Sequence, residues 1–127
     1  MTKGIERLVR ERAGGRCEYC RLSEAIAPVA HVVDHVRARQ HHGLTELPNL
    51  ALACVFCNRF KGPNLSGVDP KSDAITRLYD PRVDVWEEHF AMIAGRVVGV
   101  TSIGRATVDV LQMNDGLRVA LRLTLQT

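Results

Sequence analysis

Two Cys-x-x-Cys pairs, Cys17 with Cys20 and Cys54 with Cys57, constrain this chain more than any other feature. They contain all four of its cysteines, with 33 residues between them. Four thiolates drawn together make a closed tetrahedral site with no open position, so the pairs predict structural zinc. Zinc held in this way contributes its binding energy to folding. The opening stretch, MTKGIERLVRER, is charged and lacks the apolar segment of an export signal. A reducing, cytoplasmic setting without disulfides is therefore expected. The insert between the two pairs is longer than the usual gap between zinc knuckles and must loop out.

Composition sets the class. Hydrophobic residues make up 46% of the 127 residues and charged residues 24%, the balance of one globular domain or a domain with a small appendage. No apolar run approaches the ~18 residues of a membrane span, so no membrane partner is expected. The net charge of +3 is uneven. Residues 1–66 carry 10 Lys/Arg against 6 Asp/Glu (+4), and residues 67–127 carry 7 against 8 (−1). A phosphate-bearing partner would meet the first half.

The chain divides into residues 1–66, which hold the knuckles, and a C-terminal extension over 67–127. Residues 3–13 predict a helix with Ile5, Leu8, Val9 and Arg12 on one face, stopped by Gly14 and Gly15. The β-branched stretch 29–35 predicts a strand and 37–48 a polar loop. Leu50 to Ala53 leads into the second knuckle, and a short helix beginning at Asn58 is cut off by Gly62 and Pro63. Residues 67–70 predict a hinge. Strands are expected over 75–79, 85–90 and 96–100, with a tight turn at Ala94 and Gly95. Ser102 is the expected cap of a helix to about Met113, and Asp115 of another running to the end. This half has no cluster of ligands and reads as packing or a partner contact.

Polar side chains with chemical potential lie between and beside the knuckles: Asp34, His35, Asn49 and Asn58. The knuckle pins Asn58, which follows Cys57. Neighbours on a regular strand face opposite ways, so Asp34 and His35 act together only where the strand ends or bulges. Each also has a plain reading: Asp34 in an ion pair with Arg37 or Arg39, Asn49 in a turn after Pro48, Asn58 as a helix cap. His31 shares the strand face of His35 and is as readily a packing residue. His41 and His42 read as solvent- or phosphate-facing, and His89 beside Trp86 and Phe90 as structural.

The string CEYC…HVVDHV…HHG…LPNLALACVFCNRFKG resembles the HNH endonucleases with flanking zinc knuckles. The remainder resembles the tail of small bacterial stand-alone members. The resemblance implies an α+β fold: a ββα-metal (His-Me finger) nuclease core, a structural four-cysteine zinc site and a small α+β C-terminal extension. It implies that His35 is the general base, that Asn49 holds the loop carrying it, and that Asp34 and Asn58 hold a catalytic Mg²⁺ or Mn²⁺. These roles suit the chemistry: a neutral imidazole accepts protons at cellular pH, and carboxylate and amide oxygens suit a hard cation. Arg37, Arg39, Arg59 and Lys61 would border the site and grip phosphates of double-stranded or branched DNA. The expected products carry 5′-phosphate and 3′-hydroxyl ends. Two positions depart from the pattern: Asn58 stands in place of a third-motif His, and His42 stands where glycine is common. The competing reading is a non-catalytic zinc module that binds nucleic acid or protein.

Overall fold

A computed structural model of the chain describes residues 1–124. Helix α1, Lys3–Ala13, is capped by Thr2, whose hydroxyl accepts from the Ile5 amide at 3.2 Å, and it ends at a left-handed Gly14. Val9 is buried in a small cluster with Leu50 and Leu52, and Ile5, Ala13, Val33 and Leu47 pack against it. Leu8 departs from the expected face and is exposed. Arg12 does point inward, but as a polar clamp: its guanidinium donates to the carbonyls of Leu47 and Leu50.

Strand β1, Val32–His35, pairs antiparallel with β2, Leu50–Ala53, so that Asp34 lies opposite Ala51 and His35 opposite Leu50. The strand begins three residues later than expected. Between the two strands, residues 36–49 form a loop containing two short 3₁₀ turns, Arg39–His41 and Leu47–Asn49. Helix α2, Val55–Lys61, follows β2 directly. It begins three residues before the expected start, because Cys54 acts as its N-cap, with Sγ accepting from the Cys57 amide. Asn58 is therefore inside the helix and caps nothing.

The C-terminal part differs from its expected elements at three places. The expected hinge is a pinned strand: β3, Ser66–Val68, pairs with β4, Ile75–Arg77. The buried Asp69 that follows is gripped by Arg105 through two hydrogen bonds of 2.9 Å. Residues 85–90 are not a strand but a helical turn, α3, Trp86–His89, leading into β5, Phe90–Ile93. Trp86 and Phe90, four apart, come to one side and pack with ring centroids 5.1 Å apart, and burying both rings together outweighs the strand propensity of the segment. Strand β6, Arg96–Gly99, returns antiparallel to β5 through the expected turn, where Ala94 and Gly95 both adopt positive φ. Helix α4, Ser102–Val110, is capped by Thr101 rather than Ser102. Helix α5 covers Gly116–Thr124, with Asp115 accepting from the Arg118 amide as its cap. Its expected continuation to residue 127 lies outside the described residues.

One apolar cluster joins the two parts. Cys17, Cys20, Cys54 and Cys57 are buried together with Tyr79, Trp86, Phe90, Val97, Leu111 and Met113. The indole N–H of Trp86 donates to the Tyr19 carbonyl at 2.9 Å and ties the tail to the first knuckle. No helix among the described residues is long and apolar enough to cross a membrane.

Candidate metal centre and active-site cleft

The four cysteine sulfurs lie within 4.8 Å of one another, all buried and all as free thiols. Cys20 and Cys54 Sγ are 3.7 Å apart, close to the ~3.8 Å edge of a tetrahedron with ~2.3 Å metal–sulfur bonds. The amides of Cys20 and Cys57 each donate to the first sulfur of their pair, Cys17 and Cys54, at 3.4 Å. Burial pushes the Cys17 and Cys57 thiols up, an opposition that a divalent cation at the centre would reverse. The cluster can thus hold a metal ion, and its donor set and spacing are compatible with structural zinc.

Arg118 of α5 was not legible as part of this centre. It is fully buried and donates through Nη1 to Cys57 Sγ at 3.2 Å and Cys54 Sγ at 3.8 Å. Its other nitrogens reach the carbonyls of Leu111 and Gln112 and the Asp115 carboxylate, and the guanidinium lies 5.2 Å from the Phe56 ring. Burial opposes its charge, but Cys57, Cys20 and Asp115 outweigh that and hold its pKa above the usual arginine value. The tail therefore supplies a cation beside the sulfurs, where sequence patterning had offered packing or a partner contact.

Beside this centre, α2 crosses the end of the β1–β2 pair. Asp34 is 4% exposed and receives three side chains. The Tyr19 hydroxyl donates to Oδ2 at 2.8 Å, Asn58 Nδ2 to Oδ1 at 3.2 Å, and Lys61 Nζ lies 3.2 Å from Oδ2. Burial pushes the Asp34 carboxyl above the ordinary carboxylate range, against the pull of Lys61, Tyr19 and Asn58. The expected partners Arg37 and Arg39 do not reach it. Tyr19, inside the first knuckle, is a second contributor that sequence reasoning missed. It links the cysteine cluster to Asp34 through one hydrogen bond.

His35 is the last residue of β1, so its neighbour Asp34 faces α2 while its own ring turns to the loop. Nε2 meets Thr45 Oγ1 at 2.8 Å, within hydrogen-bond reach. Alternation along the strand does not separate the pair completely, because Asp34, His35 and Asn58 line one open cleft together with Arg39 and Gly62. His31 sits apart, buried just before β1, with Nε2 bonded to the Leu22 carbonyl at 2.8 Å.

Asn49 clamps the loop. Its Oδ1 accepts from the Arg37 amide at 2.9 Å, and its Nδ2 donates to the carbonyls of Arg37 at 3.0 Å and Leu44 at 2.9 Å. The clamp requires glycine at 43, where a Cβ would fall 1.7 Å from the Arg37 carbonyl oxygen and 2.8 Å from Asn49 Nδ2. His42 adopts the left-handed conformation at φ 69, a conformation glycine adopts at lower cost. Of the basic fringe, Arg37, Arg39 and Arg59 are exposed. Lys61 is not, at 2% exposure, and in this arrangement cannot reach a phosphate outside.

Residues 17–64 match the family model for HNH endonuclease. The match covers 48 of the 127 residues. It spans both knuckles, β1, the clamped loop, β2 and α2, and the family consists generally of nucleases. No curated protein and no solved structure matches the chain.

Proposed function

We propose that this protein is a metal-dependent endonuclease that hydrolyses DNA phosphodiester bonds, with His35 as general base and one divalent ion held by Asp34 and Asn58. The observation carrying this reading is the convergence of Asp34, His35 and Asn58 on a single open cleft within the HNH domain. In this reading the β1–β2–α2 unit is a ββα-metal core, and the four cysteines hold structural zinc that fixes α2 against the strands.

The donors fit a hard divalent ion in kind, a carboxylate and a side-chain amide at the wall of one cleft, with Asn58 turned so that its Nδ2 donates to Asp34 Oδ1 at 3.2 Å. Mg²⁺ or Mn²⁺ held there supplies Lewis-acid polarisation of the scissile phosphate and charge stabilisation of the leaving 3′-oxygen. The chain's own residues do the rest. In the tautomer that donates Nε2–H to Thr45, 2.8 Å away, the Nδ1 lone pair of His35 is left for the proton of an attacking water. Asn49 and Gly43 fix the loop that carries Thr45 and hold the ring's orientation. Arg39 lines the cleft, and with the exposed Arg37 of the loop and Arg59 of α2 it contacts flanking phosphates in this reading. Residues 67–127 brace the zinc centre through Arg118.

The buried Asp34–Lys61 pair favours one other reading, a non-catalytic zinc module in which Asp34 is structural. Supercoiled plasmid incubated with wild type and His35→Ala, in Mg²⁺, Mn²⁺ or EDTA, separates the two. Metal-dependent nicking that the variant loses is expected. Folded, zinc-loaded protein that binds DNA but nicks in no lane would establish the binding module instead.

A further inference from the structure

The strongest unexplained feature of the cleft is the cation already in it. Lys61 closes α2 three residues after Asn58, with 3% of its side chain exposed, and Asp34 opposite has 5% exposed. Its ammonium spans both carboxylate oxygens, 3.2 Å from Oδ2 and 3.4 Å from Oδ1, and donates to the His35 carbonyl at 3.1 Å. Desolvating two charges to this degree is unfavourable unless the pair is kept closely matched, and these two are. The same carboxylate also takes the Tyr19 hydroxyl and the Asn58 amide N–H, so every side chain around it donates. A divalent cation arriving from the cleft therefore meets a carboxylate that is neutralised and an amide turned with its N–H₂ group toward it. One carboxylate cannot satisfy an ammonium and a divalent ion a few ångströms apart at full strength, because the two cations repel. Lys61 also lines a second cleft with Asn64, Tyr79 and Asp80, which offers space and a carboxylate, although Arg37 and Arg77 line it too.

We propose that Lys61 is a resident counter-ion that competes with the divalent ion for Asp34: it holds the carboxylate in place in the metal-free protein and is displaced when the ion binds. The proposal rests on the nuclease reading above for the identity of Asp34 as a ligand. It makes the free protein a weak binder of divalent ions. It also gives Lys61 a role different from the phosphate contact expected of a basic fringe. Lys61 is a positioning residue in this scheme, acting on the site through Asp34 and the end of β1.

The chain has three lysines, Lys3, Lys61 and Lys71, so lysine-selective NMR of the zinc-loaded full chain resolves each. The Lys61 signal is assigned by its loss in Lys61→Arg. On titration with Mg²⁺ without DNA, the Lys61 Cε and Nζ signals should move in a saturable way, and its ammonium protons should lose their protection. Lys3 and Lys71 should stay unchanged. In parallel, Lys61→Met should bind Mn²⁺ tighter than wild type by on the order of tenfold at pH 8, because the repelling charge is gone. Lys61→Arg should stay near the wild-type affinity. Mg²⁺ shifting the Asn58 side-chain amide while Lys61 stays still would overturn the proposal, and so would no response at any residue. Equal or weaker Mn²⁺ binding by folded Lys61→Met would also overturn it. If that variant does not fold, the lysine titration of the wild type decides alone. Plasmid nicking is scored separately: nicking with an unmoved Lys61 sinks only the exchange, and a responsive Lys61 without nicking sinks only the nuclease reading.

Discussion

Removing the Asn49 side chain should open the loop that carries Thr45 and with it the orientation of His35. Asn49→Ala deletes three hydrogen bonds to the backbone, one from the Arg37 amide and one each to the Arg37 and Leu44 carbonyls. A net worth of about 1 kcal/mol each gives about 3 kcal/mol, and water reaching this exposed loop recovers part of it, leaving about 2 kcal/mol. For 127 residues an unfolding entropy of about 0.27 kcal/mol/K makes that a fall in Tm of about 7 °C, read by circular dichroism. The same 2 kcal/mol shifts the closed-to-open ratio of the loop by about 30-fold. Plasmid nicking should then drop by at least about tenfold at a temperature where both proteins are folded. Hydrogen exchange at the Arg37 amide should accelerate. Asn49→Asp is the sharper control: it keeps the acceptor for Arg37 N–H but sets a carboxylate against two carbonyl oxygens, so it should be as impaired as the alanine variant. Nicking within twofold of wild type in both variants, with Arg37 exchange accelerated, would refute the link between clamp and base.

Three further outcomes follow from the geometry. Stripping metal from the cysteine cluster should unfold the chain cooperatively, since zinc-site binding of about 10–16 kcal/mol matches or exceeds a typical domain's whole stability. Trp86 fluorescence reports it, because the indole is bonded to the Tyr19 carbonyl in the first knuckle, and an unchanged spectrum after complete chelation would count against a structural metal. Gly43→Ala should abolish nicking and lower Tm, because its Cβ would stand 1.7 Å from a backbone oxygen that Asn49 holds in place; wild-type activity would show that the loop path is free to change. Arg105 hydrogen bonds hold the Asp69 carboxyl well below the usual carboxylate range. Its contribution to stability is thus complete above the unfolded value near ~4 and is lost as pH falls toward the folded value. The stability gap between wild type and Asp69→Asn in denaturant titrations should be constant from pH 7 to 5 and shrink below pH 4; a gap that grows with acid would contradict the assignment.

Much of the site was legible because its signals are local. Two Cys-x-x-Cys pairs can meet only if the insert loops out, and an amide after the last cysteine must ride on the knuckle helix. That reasoning pinned Asn58 to the knuckle, while its pairing with Asp34 came from the family resemblance; the tight turn at Ala94 and Gly95 was equally local. The helix start at Val55 escaped because its cap is a cysteine sulfur, which acts as one only within the assembled cluster. Residues 85–90 escaped because their strand-like pattern yields to the joint burial of Trp86 and Phe90.

By itself, then, the sequence singled out four cysteines able to hold a metal ion and the order of strand, loop and helix, since these depend on spacing along the chain, while the clamp role of Asn49 came only with the family resemblance. Only the tertiary structure decided which charges meet. Lys61 and Arg118 resemble any other basic residue in the sequence, yet both are buried, one on Asp34 and the other on the cysteine sulfurs. The partner of a buried charge is chosen by desolvation, which depends on what surrounds it in three dimensions and leaves no periodic trace along the chain.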